Sequence, residues 1–497
     1  MIVSVTGLVR TVLAAGAGAG LVYAAMQAPG AVALGPSGNA DTSREGGTST
    51  VRSAALVCPG PELKGLAGLG DLPVDVTVAA AAAPERALTG LTLPSTSGAL
   101  SITGLAAGSK GPQATARGVV VEKELAEPAG ALVRGTQSLA AGLAAAQWWL
   151  VDSGDHRSLG VTACGRPGAD AWLVAGAGAA GHQERLVLTN PGDNPVTVDL
   201  TLHGAQGPVA SPNGKGVVVP SRGRTTVLLD SISGTEASPV VHVVTHGGLV
   251  HAVLNDYWLD GSIAAGSDDT VTAAAPSRSQ VVPAVALDGV ATLRVAVPGE
   301  AEAVVQARAL TASGPRALPQ GGVIRVAGGT VRDISLAGLP KGVYGLQVRA
   351  DVPIVAGAFA QRRTSPSAPG DFAWSSSTEA IAGVAGAPLP RRELGGRPLA
   401  NRLALTSSGA PANVEVVTTD STGRATSRRL TLAADTATAV DLGDAASVWV
   451  HRLSGKGQLR AGAITTGSDS KGELISVLAL TDALLRTTSA GLLEIPQ

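Results

Sequence analysis

Four groupings of residues have the types and spacing that chemistry would need. The first is AWLVAGAGAAGHQERLVLTNPG (171–192), where Gly176-x-Gly178-x-x-Gly181 directly follows an apolar run. That is the letter pattern of a dinucleotide-binding loop, which needs a strand before it, a helix opening after it, and an acid about 20 residues on. The strand is there (AWLVA). The helix is not, because only His182-Gln183-Glu184-Arg185 intervene before the alternating run LVLTNPG with its helix-stopping Pro-Gly. Without a helix no positive dipole end can hold a phosphate. The stretch is therefore expected to connect two strands, and no cofactor site is expected.

The second grouping is histidine. His242, His246 and His251 flank Gly247-Gly248. If the two runs pair as a hairpin about those glycines, all three imidazoles share one face, His251 lying diagonal to the others. Neutral imidazoles suit Zn, Cu or Ni. The plainer reading is histidine on the solvent face of a hairpin, since the matching places further along carry Gln347 and Asp351, or Val450 and Ser454. His242, His246 and His251 thus form a weak metal candidate, and no other metal site is expected.

The third grouping is acidic. Asp152, Asp155 and His156, and the pair Asp268-Asp269, have acid–base side chains. Both sets read as Gly/Ser turns, where Asp suits the backbone. No GxSxG, HExxH or P-loop pattern occurs, so no catalytic residue is assigned and the chain is expected not to be an enzyme. The six tryptophans (Trp148, Trp149, Trp172, Trp258, Trp374, Trp449) would serve as sugar-stacking platforms or as core anchors. With aromatics at only 2%, core anchors are the expectation, because each ring supplies scarce apolar area.

The fourth is the cysteine pair. Cys58 and Cys164 each end a strand-like run and precede a Pro/Gly turn. Two strands ending side by side would bring them within disulfide reach, closing a long loop for about 4–5 kcal/mol in the chain-entropy picture. The alternative is two buried thiols. A disulfide points to export.

The elements that would position these residues recur. LVLTNPGDNPVTVDLTLHGAQGP starts at Leu186, and LRVAVPGEAEAVVQARALTASGP at Leu293, an offset of 107 (293 − 186) held without a gap. A third copy starts at Leu403. Alternation such as Val196-x-Val198-x-Leu200-x-Leu202 places one strand face on a core and the other in water. Later in each copy come two alternating strands about a tight turn, such as VVHVVTHGGLVHAVL (240–254). About six short strands per copy, with turns every 8–12 residues, read as an immunoglobulin-like antiparallel β-sandwich. The fold class is therefore all-β: tandem sandwiches after an N-terminal membrane helix. The expected parts are a signal anchor or signal peptide (1–30), a tether (31–50), an N-terminal β-domain (51–170), and sandwich repeats at 171–282, 283–392 and 393–497. Within the N-terminal domain, LVRGTQSLAAGLAAAQWWLV reads equally as a helix or as two weak strands.

The N-terminus carries one charge, Arg10, before Asp41. Thr11 to Gly30 reaches the roughly 20 residues of a membrane span. It reads as an uncleaved anchor, or as a signal peptide cut after Ala31-Val32-Ala33. Charged residues make up 15% of the chain and the net charge is −1. With no basic face in prospect, nucleic acid is excluded as a partner.

From Trp172 the pattern W-L-V-x-G … R-L-V-L-x-N-P-G … V-x-V-x-L-x-G-x-x-G, with Asp371-Phe372-Ala373-Trp374 and Val352-Pro353-Ile354-Val355-Ala356 later, resembles an actinobacterial family of exported proteins known as domain-of-unknown-function family five-seven-one-nine. The likeness runs from about Ala54 to the end and carries over no functional residues. It implies an envelope protein with an N-terminal membrane segment, in a family that looks to be encoded often beside a membrane glycosyltransferase. The functional expectation is a non-catalytic extracytoplasmic scaffold or partner-binding stalk, anchored by its N-terminal helix or secreted if cleaved. Its partner would be an envelope protein or a glycan, in support of polysaccharide assembly. The alternative is a secreted carbohydrate-binding or carbohydrate-processing protein.

Overall fold

The computed structural model describes residues 48–66, 71–72, 74–106, 109–234 and 236–488. The anchor or signal segment 1–30 and nearly all of the tether lie outside them. No helix of the described residues is long and apolar enough to cross a membrane.

The described chain is nearly all strand, in antiparallel sheets. Four groups of strands repeat one plan, and we number them units I to IV. In unit II one sheet runs Asp170–Val174, Val240–His246, Val196–Gly204, Gly207–Val209, and the other runs Gly223–Leu228, His182–Asn190, His251–Asp260, Ile263–Val271. The same order recurs in unit I (strands within 53–163), unit III (277–376) and unit IV (384–480). The strands Ser277–Leu287 and Val384–Pro388 belong to the units that follow them. Those two joints therefore lie nearer the N-terminus than the repeat alone placed them.

Each pair of sheets closes on a core. In unit II, Leu173, Val198, Leu202, Val241 and Val243 of one sheet meet Leu186, Leu188, Ala252 and Leu254 of the other. Val196, Val198, Leu200 and Leu202 are all buried, as their alternation predicts. Burying a Leu or Val side chain stabilises by about 1.5–3 kcal/mol, so each unit holds its two layers together mainly by apolar contact. Cys58 and Cys164 are bonded and sit in the core of unit I, with their Cα atoms 4.4 Å apart. The stretch that reads equally as a helix or as two weak strands forms two strands, Ala131–Thr136 and Leu143–Val151.

Two sequence expectations are corrected. Val240–His246 and His251–Asp260 do not form a hairpin. The first pairs with Asp170–Val174 and Val196–Gly204, the second with His182–Asn190 and Ile263–Val271, so the turn at Gly247 carries the chain from one sheet to the other. In unit III the same passage is one strand, Gly342–Arg362, which pairs in one sheet through its first half and in the other through its second. The second correction concerns shape. The last strands of the four units, Ser158–Ala163, Ile263–Val271, Asp371–Ser376 and Gly472–Leu480, are each the edge of their sheet and meet around one axis. Unit I touches II and IV there, and III touches II and IV. The units close into a ring within one compact body, 48–487, and are not strung out as a stalk.

The joints share cores. Trp148, Leu159 and Val161 of unit I pack with Leu403, Leu405 and Val450 of unit IV. Phe372 and Trp374 of unit III enter the core of unit II, with Phe359 against it. Ala284 and Ala373 of unit III meet Ile464, Ile475 and Val477 of unit IV. The joint between I and II is polar: Glu62, Gln147, Thr162, Asn255 and Asp269 are all buried there.

Candidate functional site

Two clusters of titratable groups lie in this frame. The first is the ring axis. Asp268 and Asp269, read from sequence as turn residues, are on the inner strand of unit II and fully buried. The Trp374 N–H (2.7 Å) and the Ser476 hydroxyl (2.6 Å) donate to Asp268. Asp269 accepts from the Thr162 hydroxyl and from Asn255 Nδ2. Asp371 accepts from the backbone N–H of Leu159 (2.9 Å), Ile475 (3.2 Å) and Phe372 (3.0 Å). An edge strand exposes unpaired N–H groups, and here acids of the neighbouring units cap them. Burial pushes Asp268 and Asp371 well above the usual carboxylate range, against the pull of these donors. Burial likewise raises Asp269 to about 6, and it raises Glu62 further, with the Asp269 charge beside it. The axis keeps a void of about 10 Å³, room for one water.

The second cluster is His182, Glu184 and Asp256, whose ligand atoms all lie within 4.8 Å of one another. His182 and Glu184 alternate on one face of the strand His182–Asn190. Asp256 stands opposite Glu184 on the partner strand, so the sheet register itself brings them together. His182 Nδ1 is 2.9 Å from Asp256 Oδ1. The other Asp256 oxygen takes the Trp374 indole N–H from unit III at 2.8 Å. Glu184 accepts from the Ala177 N–H at 2.7 Å. Burial, then the charges of Asp256 and Asp230, push Glu184 up to about 9. The His182 ring stacks on Trp258, centroids 4.9 Å apart. One imidazole and two carboxylates form a donor set suited to a divalent transition metal.

Sequence reading missed this cluster because it began the strand at the apolar Leu186. The strand begins four residues earlier, at His182. The available signal was the alternation His182-x-Glu184-x-Leu186-x-Leu188, which continues the inward face through two polar residues.

The histidines singled out earlier are not brought together. His242 pairs with Asp170 (2.8 Å) and stacks on Trp172 (4.0 Å between centroids). His246 is exposed, 3.6 Å from Asp199. His251 is on the opposite sheet, buried at the joint with unit I, and burial lowers it to about 4. The premise of a metal site at His242, His246 and His251 was the hairpin, and the sheet change removes it.

Asp152 is in a turn, held low, to about 2, by the Ser153 hydroxyl, Arg397 and Lys471. The His156 ring lies tilted against Tyr257, whose hydroxyl donates to the Asp155 carbonyl. Five of the six tryptophans are buried, and Trp258 is partly so. Residues 175–181 are a connector between the two sheets of unit II. Gly176 and Gly181 have φ of +92° and +87°, and a Cβ on Gly181 would lie 1.9 Å from the Leu259 carbonyl oxygen. The glycines answer to that close approach, and no helix follows them.

Among solved structures, the tetra-tandem repeat in the extending region of a large adhesion protein is 13% identical, covering 87% of this chain and 99% of that one, with a TM-score of 0.10. A glycoside hydrolase of family 32 from Bifidobacterium adolescentis is 10% identical, covering 89% and 98%, with a TM-score of 0.13. At these scores neither likeness indicates a shared fold. No curated protein matches. The family model described as "Family of unknown function (DUF5719)" matches residues 119–443, and the chain belongs to that family.

Proposed function

We propose that this chain is a non-catalytic scaffold or partner-binding protein of an actinobacterial cell envelope. It would lie outside the cytoplasm, be held to the membrane by segment 1–30, and support envelope polysaccharide assembly. Its four units are read as immunoglobulin-like. The observation that carries the non-catalytic reading is what the buried carboxylates do. Asp268, Asp269 and Asp371 accept hydrogen bonds from neighbouring units around an axis with room for one water. A glycosidase instead needs two carboxyls about 5–9 Å apart across a space that admits a sugar. The Cys58–Cys164 bond supports the extracytoplasmic location.

The test is photo-crosslinking in intact cells from the exposed apolar positions Val218, Val304 and Val323. The reading expects one discrete envelope protein or glycan captured from at least one of them. Capture of cytoplasmic proteins alone would overturn it. Specific sugar binding or turnover by the purified chain would favour the carbohydrate-processing alternative.

A further inference from the structure

We propose that His182, Glu184 and Asp256 bind one zinc ion within unit II, beside the joint with unit III. This inference is independent of the scaffold reading. Three observations carry it. The donor set is one nitrogen and two oxygens within 4.8 Å, drawn from two paired strands. Zinc bonds of 2.0–2.1 Å place tetrahedral ligand atoms about 3.3 Å apart. The 2.9 Å His182–Asp256 pair would open slightly, and the widest separation would close by side-chain rotation.

The second observation is charge. Glu184 and Asp256 are buried, yet among the described residues no Lys or Arg lies within ion-pair distance of either. Arg294, 5.0 Å above the Trp374 ring, is held by Asp333 and the carbonyls of Gly176 and Pro239. A dication would supply the missing positive charge.

The third observation is orientation. Metal-binding carboxylates are held by outer partners. Here Trp374 of unit III donates to the Asp256 oxygen that His182 leaves free, and the Ala177 N–H fixes Glu184. The unit III tryptophan would therefore orient a ligand of the site in unit II. The open position of the three-ligand set is left to water.

The experiment strips the full-length chain with chelator and titrates Zn²⁺ against a chromophoric competitor, with Mg²⁺ as a control. Co²⁺ serves as a spectroscopic stand-in for tetrahedral coordination. The wild type should bind one Zn²⁺ per chain at micromolar concentration or below, and its Tm should rise on binding. His182→Gln should weaken binding by about 100-fold, and Trp374→Phe by about 10–100-fold as the loss of an outer partner. Glu184→Gln keeps the acceptor for Ala177 and suits a buried site, so it tests the ligand without threatening the fold. It too should lose the ion. The double variant His242→Gln/His246→Gln, which removes the surface His–Asp pairs, should bind as the wild type does. The proposal fails if the stripped wild type takes up no Zn²⁺ at micromolar concentration. It also fails if Glu184→Gln and His182→Gln bind normally, or if the surface double variant is the one that loses the ion.

Discussion

Replacing Asp371 is the sharpest probe of the closed ring. Its Oδ2 accepts the backbone N–H groups of Leu159 in unit I and Ile475 in unit IV, while Oδ1 accepts its own neighbour, Phe372. One side chain of unit III thus caps edge donors of the inner strands of units I and IV. Each buried donor left unpaired costs about 1–3 kcal/mol. Asp371→Ala orphans both cross-unit donors and should destabilise by about 2–6 kcal/mol. Asp371→Asn keeps one acceptor oxygen where the two N–H groups converge, and should lose only about 1–2 kcal/mol. The assay is urea unfolding followed by tryptophan fluorescence and far-UV circular dichroism. Every unit carries a reporter: Trp148 and Trp149 in I, Trp172 and Trp258 in II, Trp374 in III, and Trp449 in IV. A ring with shared cores should lose all of them in one coincident transition whose midpoint falls from wild type to Asn to Ala. The reasoning is refuted if Asp371→Ala unfolds at the wild-type midpoint. It is equally refuted if the Trp374 signal moves early while the others stay in place, since the ring would then not be a cooperative body.

Four further outcomes follow from the same geometry. His251 is buried and lowered to about 4, so the unfolded chain takes up its proton near pH 6.5 before the folded one does. Its stabilising contribution of about 3 kcal/mol is intact above pH 6.5 and lost as pH falls toward 4, and a urea series across that window should show a shallower loss in His251→Gln. Reducing the Cys58–Cys164 bond opens a span of 106 residues and should lower stability by about 4–5 kcal/mol, read from unfolding midpoints with and without reductant. Gly181→Ala places a Cβ against the Leu259 carbonyl at φ +87° and should destabilise by more than 1 kcal/mol, whereas Gly261→Ala, with positive φ but open space, should cost less. Limited proteolysis of the folded chain should leave the 48–487 body intact; release of stable pieces near 110 residues would contradict the shared cores.

The sequence was most legible where periodicity alone decides the outcome. Val196 to Leu202 alternate, and their buried face follows from the pleat. The 107-residue offset marked recurring strand groups because each copy must solve the same packing problem. What periodicity cannot convey is which strand a given strand pairs with. Val240–His246 and His251–Asp260 read as a hairpin, since both alternate about two glycines. Yet a glycine turn that folds back and one that steps to the next layer have the same letters. The misreading moved His251 across the unit and created a histidine face that does not exist. The reverse error hid His182 and Glu184. A polar start to a strand looks like a loop until the register sets Asp256 opposite it. Asp268 and Asp269 were lost similarly, because acids between Ser and Thr look like a turn unless a neighbouring unit supplies their donors.

The ring also accounts for the composition. Four edge strands approach one axis, and at each crossing the backbones come close enough that side-chain volume is the constraint. Thr162, Ala163, Ala284, Ser375, Ser376, Gly462 and Ala479 line that axis, and a Cβ on Gly462 would sit 2.7 Å from the Ala284 Cβ. Large residues there would hold the strands apart and leave the edge donors out of reach of Asp268 and Asp371. Small residues bring the strands within hydrogen-bonding distance, and the acids, serines and threonines then satisfy donors that no sheet partner reaches. Of the bulky aromatics, Trp374 reaches the lining of the axis, and Trp148 and Phe372 fill the joints between units. A chain rich in Ala and Gly with 2% aromatics would be a poor builder of four separate sandwiches, each needing its own large core. It suffices for four that borrow one another's side chains. Exchanging Gly462 for Val should therefore act at the axis as removal of Asp371 does, lowering the one shared transition, whereas the same change at the exposed Gly299, where a Cβ meets open space, should leave it in place.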